Sequence, residues 1–296
     1  MDLLELERVA LNAALGVRFW DVATGALAID GLKVEVFHRA NPRVRTVAKP
    51  GPSGIYVAHN LSGLRDFEFK DVDLPQDLWP AATRPYRIEV SDPEGRYLPI
   101  AFDADLPARG PFTWLAPWFS PPQPVPFPNA PGSPPQLMME RVPLSSAPSR
   151  PPPEPLAVVY AQMLEEGSPR ELAWGLLGVT IDGVSCGIGL ADTRGRVAVF
   201  FPYPEPPRIS LSSPILAHND FTWEVALTAF GSLASPVEAP APFADLAQIF
   251  EDLATPRDVV ESVISPPLPL RLTYRQPLVA RTAGTVGADA SFLFVS

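Results

Sequence analysis

The chain is dominated by short stretches in which apolar and polar residues alternate, separated by turn residues. From Gly16 the sequence GVRFWDVATGALAIDGLKVEVF has a period of two, with turn signals at Thr24-Gly25 and Asp30-Gly31. Glycine accepts a positive φ and aspartate bonds to nearby backbone, so both pairs favour tight turns. Short alternating strands with turn signals about every ten residues are typical of an antiparallel β-sandwich.

The same pattern continues to about residue 109. It predicts a strand at 55–58 and a hairpin across the turn Asp92-Pro93-Glu94-Gly95. We therefore expect a first β-sandwich over residues 15–109, preceded by a short amphipathic helix or arm over residues 1–14.

After residue 155 the pattern resumes and predicts a second sandwich over residues 156–296. The stretch LAVVYAQMLEE is rich in β-branched and aromatic residues and is predicted as a strand, although its length permits a helix. The turn Asp192-Thr193-Arg194-Gly195 repeats the Asp-x-x-Gly-Arg motif that begins at Asp92. FTWEVALTAF, residues 221–230, alternates as a further strand.

A helical insertion is predicted over residues 242–265 of this second sandwich. Apolar residues recur at helical spacing over 243–253, directly after Pro242. A second helix is predicted over 257–264, with Thr255 as its N-cap. The final stretch, 292–295, is predicted as a strand that is tied into a sheet.

The two predicted sandwiches are joined by a proline-rich arm, residues 110–155. Proline lacks an N–H donor and has a fixed φ, so an extended polyproline backbone is expected. The arm also carries large apolar residues, which require a surface to lie on. That surface belongs either to the chain's own sandwiches or to a neighbouring subunit. For the second alternative the predicted partner contacts are Phe112, Trp114, Trp118 and Phe119.

Composition narrows the possible functions. The 296 residues suffice for two cores, and 39 prolines argue against a helical fold. A net charge of −10 disfavours a nucleic-acid or anionic-membrane partner. A single cysteine excludes an internal disulfide. The N-terminal stretch carries charges where a signal peptide is apolar, so we expect no signal peptide, no membrane insertion and assembly in the cytoplasm.

No catalytic or metal-binding pattern is found. The three histidines, His38, His59 and His218, do not have zinc-ligand spacing, and Cys186 has no base near it in sequence. The remaining candidates are loop carboxylates and tryptophans, which we interpret as solvated charge and core residues: Asp71, Asp73, Asp77, Asp103, Asp105, Trp20, Trp79, Trp174 and Trp223. We expect no enzyme, no cofactor and no metal.

Two stretches of the sequence resemble a known protein family. RFWDVATGALAIDGLKVEVF followed by SGIYVAHNLSGL is similar to the opening of transthyretin-like or carboxypeptidase-regulatory-like β-sandwiches. LLGVTIDGVSCGIGLADTRGRVAVFFPYP is similar to the hairpin of the same family. The order sandwich, proline-rich arm, sandwich and closing RQPLVARTAG resembles accessory proteins of phage-tail-like contractile injection systems.

The resemblance implies a structural subunit at an end of such a particle, either cap or baseplate. It implies tube, sheath, cap or baseplate proteins as partners and a ring of several copies. It supplies no catalytic residues. Sandwich modules of this family are often secreted, but the N-terminal sequence of this chain does not predict a signal peptide. The alternative is a carbohydrate- or receptor-binding module, which requires exposed, coplanar aromatic rings on one face.

Overall fold

The structure is a computed structural model that describes residues 12–68, 83–108, 141–205, 221–231, 239–263 and 269–296, with the backbone alone for 114–116, 137–139 and 288. Within these residues the chain is mainly β and contains two α-helices. The fold class that the alternating pattern predicts is therefore confirmed.

The elements of the first half and the arm are β1 Leu15–Asp21, β2 Lys33–His38, β3 Arg45–Pro50, β4 Ile55–Ala58, α1 Arg65–Glu68, β5 Arg84–Ser91, β6 Ile100–Leu106, β7 Trp114–Ala116, β8 Leu137–Met139 and β9 Val142–Leu144. Those of the second half are β10 Leu156–Glu165, β11 Leu176–Ile181, β12 Val184–Leu190, β13 Arg196–Pro202, β14 Thr222–Phe230, β15 Ala244–Asp245, α2 Leu246–Asp252, β16 Pro256–Arg257, β17 Val259–Val260, β18 Leu270–Thr273, β19 Leu278–Val279, a 3₁₀ turn Gly287–Ser291 and β20 Leu293–Val295.

The strands of the first half and the arm's β9, with β15 from the second half added at one edge, form a path of eight strands in the order β15-β6-β5-β2-β3-β4-β1-β9. Strand β3 changes partner along its length, because residues 45–48 pair with β2 while Lys49 and Pro50 pair with β4. The path encloses one core, in which the rings of Phe19 and Tyr56 meet edge to face at 5.3 Å. Such aromatic pairs add to the free energy of burial.

The second half consists of two sheets. One has the order β13-β10-β20-β17 with β19 beside β10, and the other has the order β12-β11-β14-β16 with β18 beside β14. Side chains from both sheets form one core, which includes Val159, Val179, Phe201 and Leu227. This is the face-to-face arrangement of a β-sandwich. The terminal strand β20 pairs with β10 and β17, as predicted for a strand tied into a sheet.

The two halves are joined by a segment that leaves the second half and docks on the first. Strand β15 adds to the edge of β6, where Ala244 lies opposite Ile100. Helix α2 follows directly, and its Leu246 and Ile249 are buried in the first core. Leu190 of the second half lies in the same apolar cluster. The halves therefore share buried apolar surface in addition to the chain connection.

The helix prediction for this region is right for one segment and wrong for the other. Helix α2 is capped by Asp245, whose carboxylate accepts a hydrogen bond from the backbone N–H of Ala247 at 3.0 Å. The predicted helix over 257–264 is wrong, because Arg257 pairs with β14 and the residues of β17 pair with β20. Strand pairing outweighs the local N-cap signal at Thr255.

Three further predictions concern the stretch that allowed a strand or a helix, the hairpin at residues 92–95 and the N-terminal helix. The stretch that allowed either a strand or a helix is the strand β10. The hairpin across Asp92–Gly95 is confirmed by the antiparallel pairing of β5 with β6. The predicted N-terminal helix lies largely outside the described residues, which begin at Asn12, and residues 12–14 are not helical.

Candidate functional site

The predicted partner contacts lie mostly outside the described residues. Phe112, Trp118 and Phe119 belong to that part, and Trp114 lies in β7, of which the structure gives the backbone. Strand β7 pairs with β8 in an antiparallel ladder that places Trp114 opposite Met139. Within the part of the chain that the structure describes, this ribbon pairs with no other strand. Among the described residues, both of its edges are therefore unpaired, and a further strand can bond backbone groups at such an edge.

The end of the arm, in contrast, packs on the chain's own first half. Strand β9 runs parallel to β1, with Phe19 opposite Val142, and its residues are buried. Of the two surfaces considered for the arm, its own sandwich accounts for this part.

A buried ion pair holds the arm's end in place. Arg150 donates to the carboxylate of Asp21 at 2.7 Å and to the hydroxyl of Ser146 at 2.8 Å. The guanidinium lies 5.1 Å from the centre of the Tyr97 ring. Burial raises the pKa of Tyr97, and the nearby Asp21 raises it further. These contacts of Arg150 join β1 to the arm, and we interpret them as structural contacts.

The repeated Asp-x-x-Gly-Arg motif forms the same turn in both halves. Asp92 accepts hydrogen bonds from the backbone N–H and the side chain of Arg96 at 2.8 and 3.0 Å. Asp192 accepts the corresponding bonds from Arg196 at 3.0 and 2.8 Å. The carboxylates thereby bond the backbone of their own turns, which is the behaviour of aspartate that stabilises a turn.

Asp92 provides a pH-dependent test of this turn. Burial raises the pKa of Asp92, but hydrogen bonds from Arg96 and Glu94 outweigh it, so the pKa lies below its usual value. A lowered carboxyl pKa contributes stability above the unfolded-state pKa, about 3.9, that is lost as the pH falls through the folded-state pKa. Asp92→Asn is expected to lower the free energy of unfolding by about 2 kcal/mol at pH 7.

The difference between Asp92→Asn and wild type should shrink as the pH falls below about 4, because the carboxyl then protonates in the unfolded state before it protonates in the folded state. Urea unfolding between pH 3 and pH 7 measures both effects. Glu94→Gln is the control, since Glu94 lies in the same turn and is 66% exposed. A difference between Asp92→Asn and wild type that stays constant with pH would contradict the proposed role of this carboxylate.

Two of the residues considered for catalysis or metal binding have structural partners, whereas the buried Nδ1 atom of His59 has no hydrogen-bond partner among the described residues. The Nδ1 atom of His38 accepts a hydrogen bond from the backbone N–H of Ala40 at 3.1 Å, and Asp103 pairs with Arg39 at 3.2 Å. Burial raises the pKa of the Cys186 thiol, which makes it a weaker nucleophile. Among the described residues, no group of three His, Cys, Asp or Glu side chains could hold a metal ion. His218, Asp71, Asp73, Asp77 and Trp79 lie outside them.

Of the four tryptophans interpreted as core residues, Trp20 and Trp223 are buried as predicted. Trp174 is half-buried against the first core, and its indole N–H donates to the carbonyl of Ala241 at 2.9 Å. It therefore contacts the segment that leads into β15.

A groove of about 810 Å³ opens in the second half, beside the beginning of β10. Three tyrosines from distant parts of the sequence line it: Tyr160 in β10, Tyr203 after β13 and Tyr274 after β18. All three rings are half-buried. Burial raises the pKa of Tyr160 above its ordinary value. Residues 152–155 of the arm form one wall.

The tyrosine groove is held in a definite shape. The Tyr203 hydroxyl accepts a hydrogen bond from the backbone N–H of Arg275 at 2.9 Å. The rings of Tyr203 and Tyr274 are 4.8 Å apart and inclined by 61°, and Tyr203 lies 5.9 Å from Trp223. Arg275 has a φ of 60° and stands over Tyr274 at 5.4 Å. The rings form the walls of a groove; they are not the coplanar platform that stacks on sugars.

The sequence carries little signal for this groove. Its tyrosines are separated by 43 and 71 residues, and no spacing pattern connects them. The only local signal is that Tyr203 stands between two prolines in PYPEPP and that a proline follows Tyr274 three residues later in TYRQP.

No protein-family model and no curated protein matches this chain. No helix within the described ranges is long and apolar enough to cross a membrane.

Proposed function

We propose that the chain is a non-enzymatic structural subunit of a contractile, phage-tail-like injection particle. It occupies an end of the particle, cap or baseplate, and contacts neighbouring subunits through its proline-rich arm. The stretches of sequence that resemble such accessory proteins support the assignment to a contractile particle. The ion pairs around Asp21, Asp92 and Asp192, which stabilise turns and the arm, support a scaffolding role.

The β7–β8 ribbon is the observation that supports a contact surface for neighbouring subunits. An isolated two-stranded ladder is marginally stable in water and gains stability when a third strand or a packing surface is added. The ribbon consists of the apolar sequences WLA and LMM, and both of its edges are unpaired among the described residues. An added strand from a neighbouring subunit would bond such an edge through main-chain groups.

A carbohydrate- or receptor-binding module is the second candidate, and the tyrosine groove is the observation that favours it. Aromatic rings commonly line binding sites. The 61° inclination of Tyr203 to Tyr274 argues against a flat sugar platform, however. The structural role is therefore preferred.

The test is affinity purification of the tagged chain from its native host, with mass spectrometry and electron microscopy of the eluate. We expect sheath, tube and baseplate proteins on rod-shaped particles. A variant with alanine at Phe112, Trp114, Trp118 and Phe119 should keep the wild-type melting temperature and lose these partners. A control with alanine at the exposed Val184 and Val286 should retain them. A wild-type chain that elutes alone as a monomer, with intact particles formed in its absence, would refute the proposal.

A further inference from the structure

We propose that the tyrosine groove binds an uncharged, extended proline-rich segment, and that residues 120–128 of this chain, SPPQPVPFP, are such a ligand. This assigns a binding site separate from the β7–β8 ribbon. It stands whether or not the chain belongs to a contractile particle, because it depends on the groove and on residues 120–128 and not on any particle.

A polyproline helix imposes two requirements on its binding site. Its pyrrolidine rings need aromatic surfaces between which they can lie, and its carbonyls need donors because the prolines have no N–H. The groove meets the first requirement with Tyr160, Tyr203 and Tyr274. It meets the second with the guanidinium of Arg275 and the amide of Gln276, both exposed at its rim.

The groove is organised before any ligand arrives. Tyr203 is held by its hydrogen bond from Arg275 and by its contact with Trp223, which is 7% exposed. Rings that are already fixed lose little conformational entropy on binding, which favours affinity. A volume of about 810 Å³ falls within the range of small-ligand sites and leaves room for a few residues of an extended chain.

The chain already places prolines at this surface. Pro152, Pro153 and Pro155 line the groove beside the tyrosines. The surface is thus chemically compatible with a run of prolines. The open volume of the groove lies next to the prolines of the arm.

The chain also contains a ligand of the required kind. Residues 117–136 carry no charged side chain, and 120–128 hold five prolines. Recognition by ring contacts and neutral carbonyl acceptors suits an uncharged ligand. The described chain ends at Ala116 and resumes at Leu137, on either side of this run.

The test uses a fluorescently labelled synthetic peptide of residues 120–128 and the full-length protein, with binding followed by anisotropy. The control peptide has alanine at positions 121, 122, 124, 126 and 128. We expect the proline peptide to bind and the control peptide to bind at least about tenfold more weakly, because alanine does not hold the extended conformation.

Two variants assign the binding to the groove. Tyr160→Ala should weaken it about tenfold or more. Arg275→Gly should also weaken it, and it should fold at least as well as wild type, because glycine adopts the φ of 60° without strain. Arg281→Ala, an exposed arginine of the same half, is the control and should leave binding unchanged.

The chain's own segment competes with the peptide if it occupies the groove. A full-length variant with the same five alanines should therefore bind the peptide at least as tightly as wild type. Failure of the peptide to bind this variant overturns the proposal, as does binding that Tyr160→Ala and Arg275→Gly leave unchanged. A wild-type chain that elutes without particle proteins in the purification experiment, with peptide binding retained, would refute the proposed function alone.

Discussion

Arg150→Met is expected to lower the free energy of unfolding by about 3 kcal/mol at pH 7. The side chain of Arg150 is 13% exposed, and its guanidinium pairs at 2.7 Å with an Asp21 side chain that is 4% exposed. Removal of one partner leaves a charge buried without its counter-ion, which costs more than the intact pair contributes. Asp21 keeps bonds from the backbone N–H of Ala23 and the hydroxyl of Thr24, which limit the loss.

Urea unfolding monitored by tryptophan fluorescence measures this change. Arg170→Met is the matched control, because Arg170 is 46% exposed and lies 3.9 Å from Glu165. It should change stability by less than about 1 kcal/mol. The double variant Asp21→Asn with Arg150→Met should recover part of the loss, since the buried charge is then removed. An Arg150→Met protein as stable as the Arg170→Met protein would show that the pair does not anchor the arm.

Gly195→Ala is expected to lower the free energy of unfolding by about 3 kcal/mol, whereas Gly95→Ala costs about 1 kcal/mol. The two glycines occupy the same place in the two Asp-x-x-Gly-Arg turns, with φ values of 70° and 69°. The backbone strain of alanine is therefore common to both. A Cβ at Gly95 meets open space, while one at Gly195 would overlap the carbonyl oxygen of Met163.

The carbonyl of Met163 has little freedom to move, because it accepts a hydrogen bond from the backbone N–H of Leu172 at 3.0 Å. The difference between the two variants thus isolates the cost of this close approach from the cost of φ. Thermal and urea unfolding of both proteins under one buffer condition provide the comparison. Equal losses for the two variants would contradict the packing of this turn against β10.

The turns are the features that the sequence predicts best. The side-chain bonds of Asp92 and Asp192 reach no further than five residues along the chain, so the residue types alone specify them. The same holds for the alternation of β14 and for the hairpin between β5 and β6. Each of these features depends on neighbours in the sequence.

Features that depend on distant partners were predicted less well. Arg257 lies beside a plausible helix cap, yet pairs with Ala229 of β14. Residues 141–150 share the proline-rich composition of the arm, but Val142 lies opposite Phe19 in a sheet. The predicted contacts Phe112, Trp118 and Phe119 stay predictions, because they lie outside the described residues.

The sequence by itself determined the class of the fold, because a period of two and the turn residues are local properties. Only the tertiary structure decided which strands are neighbours, that α2 docks on the first half, and that Tyr160, Tyr203 and Tyr274 form one groove. The physical reason is that these contacts join residues far apart in the chain, and many alternative partners have similar local patterns. Burial and hydrogen-bond geometry of the assembled sheets select among those partners.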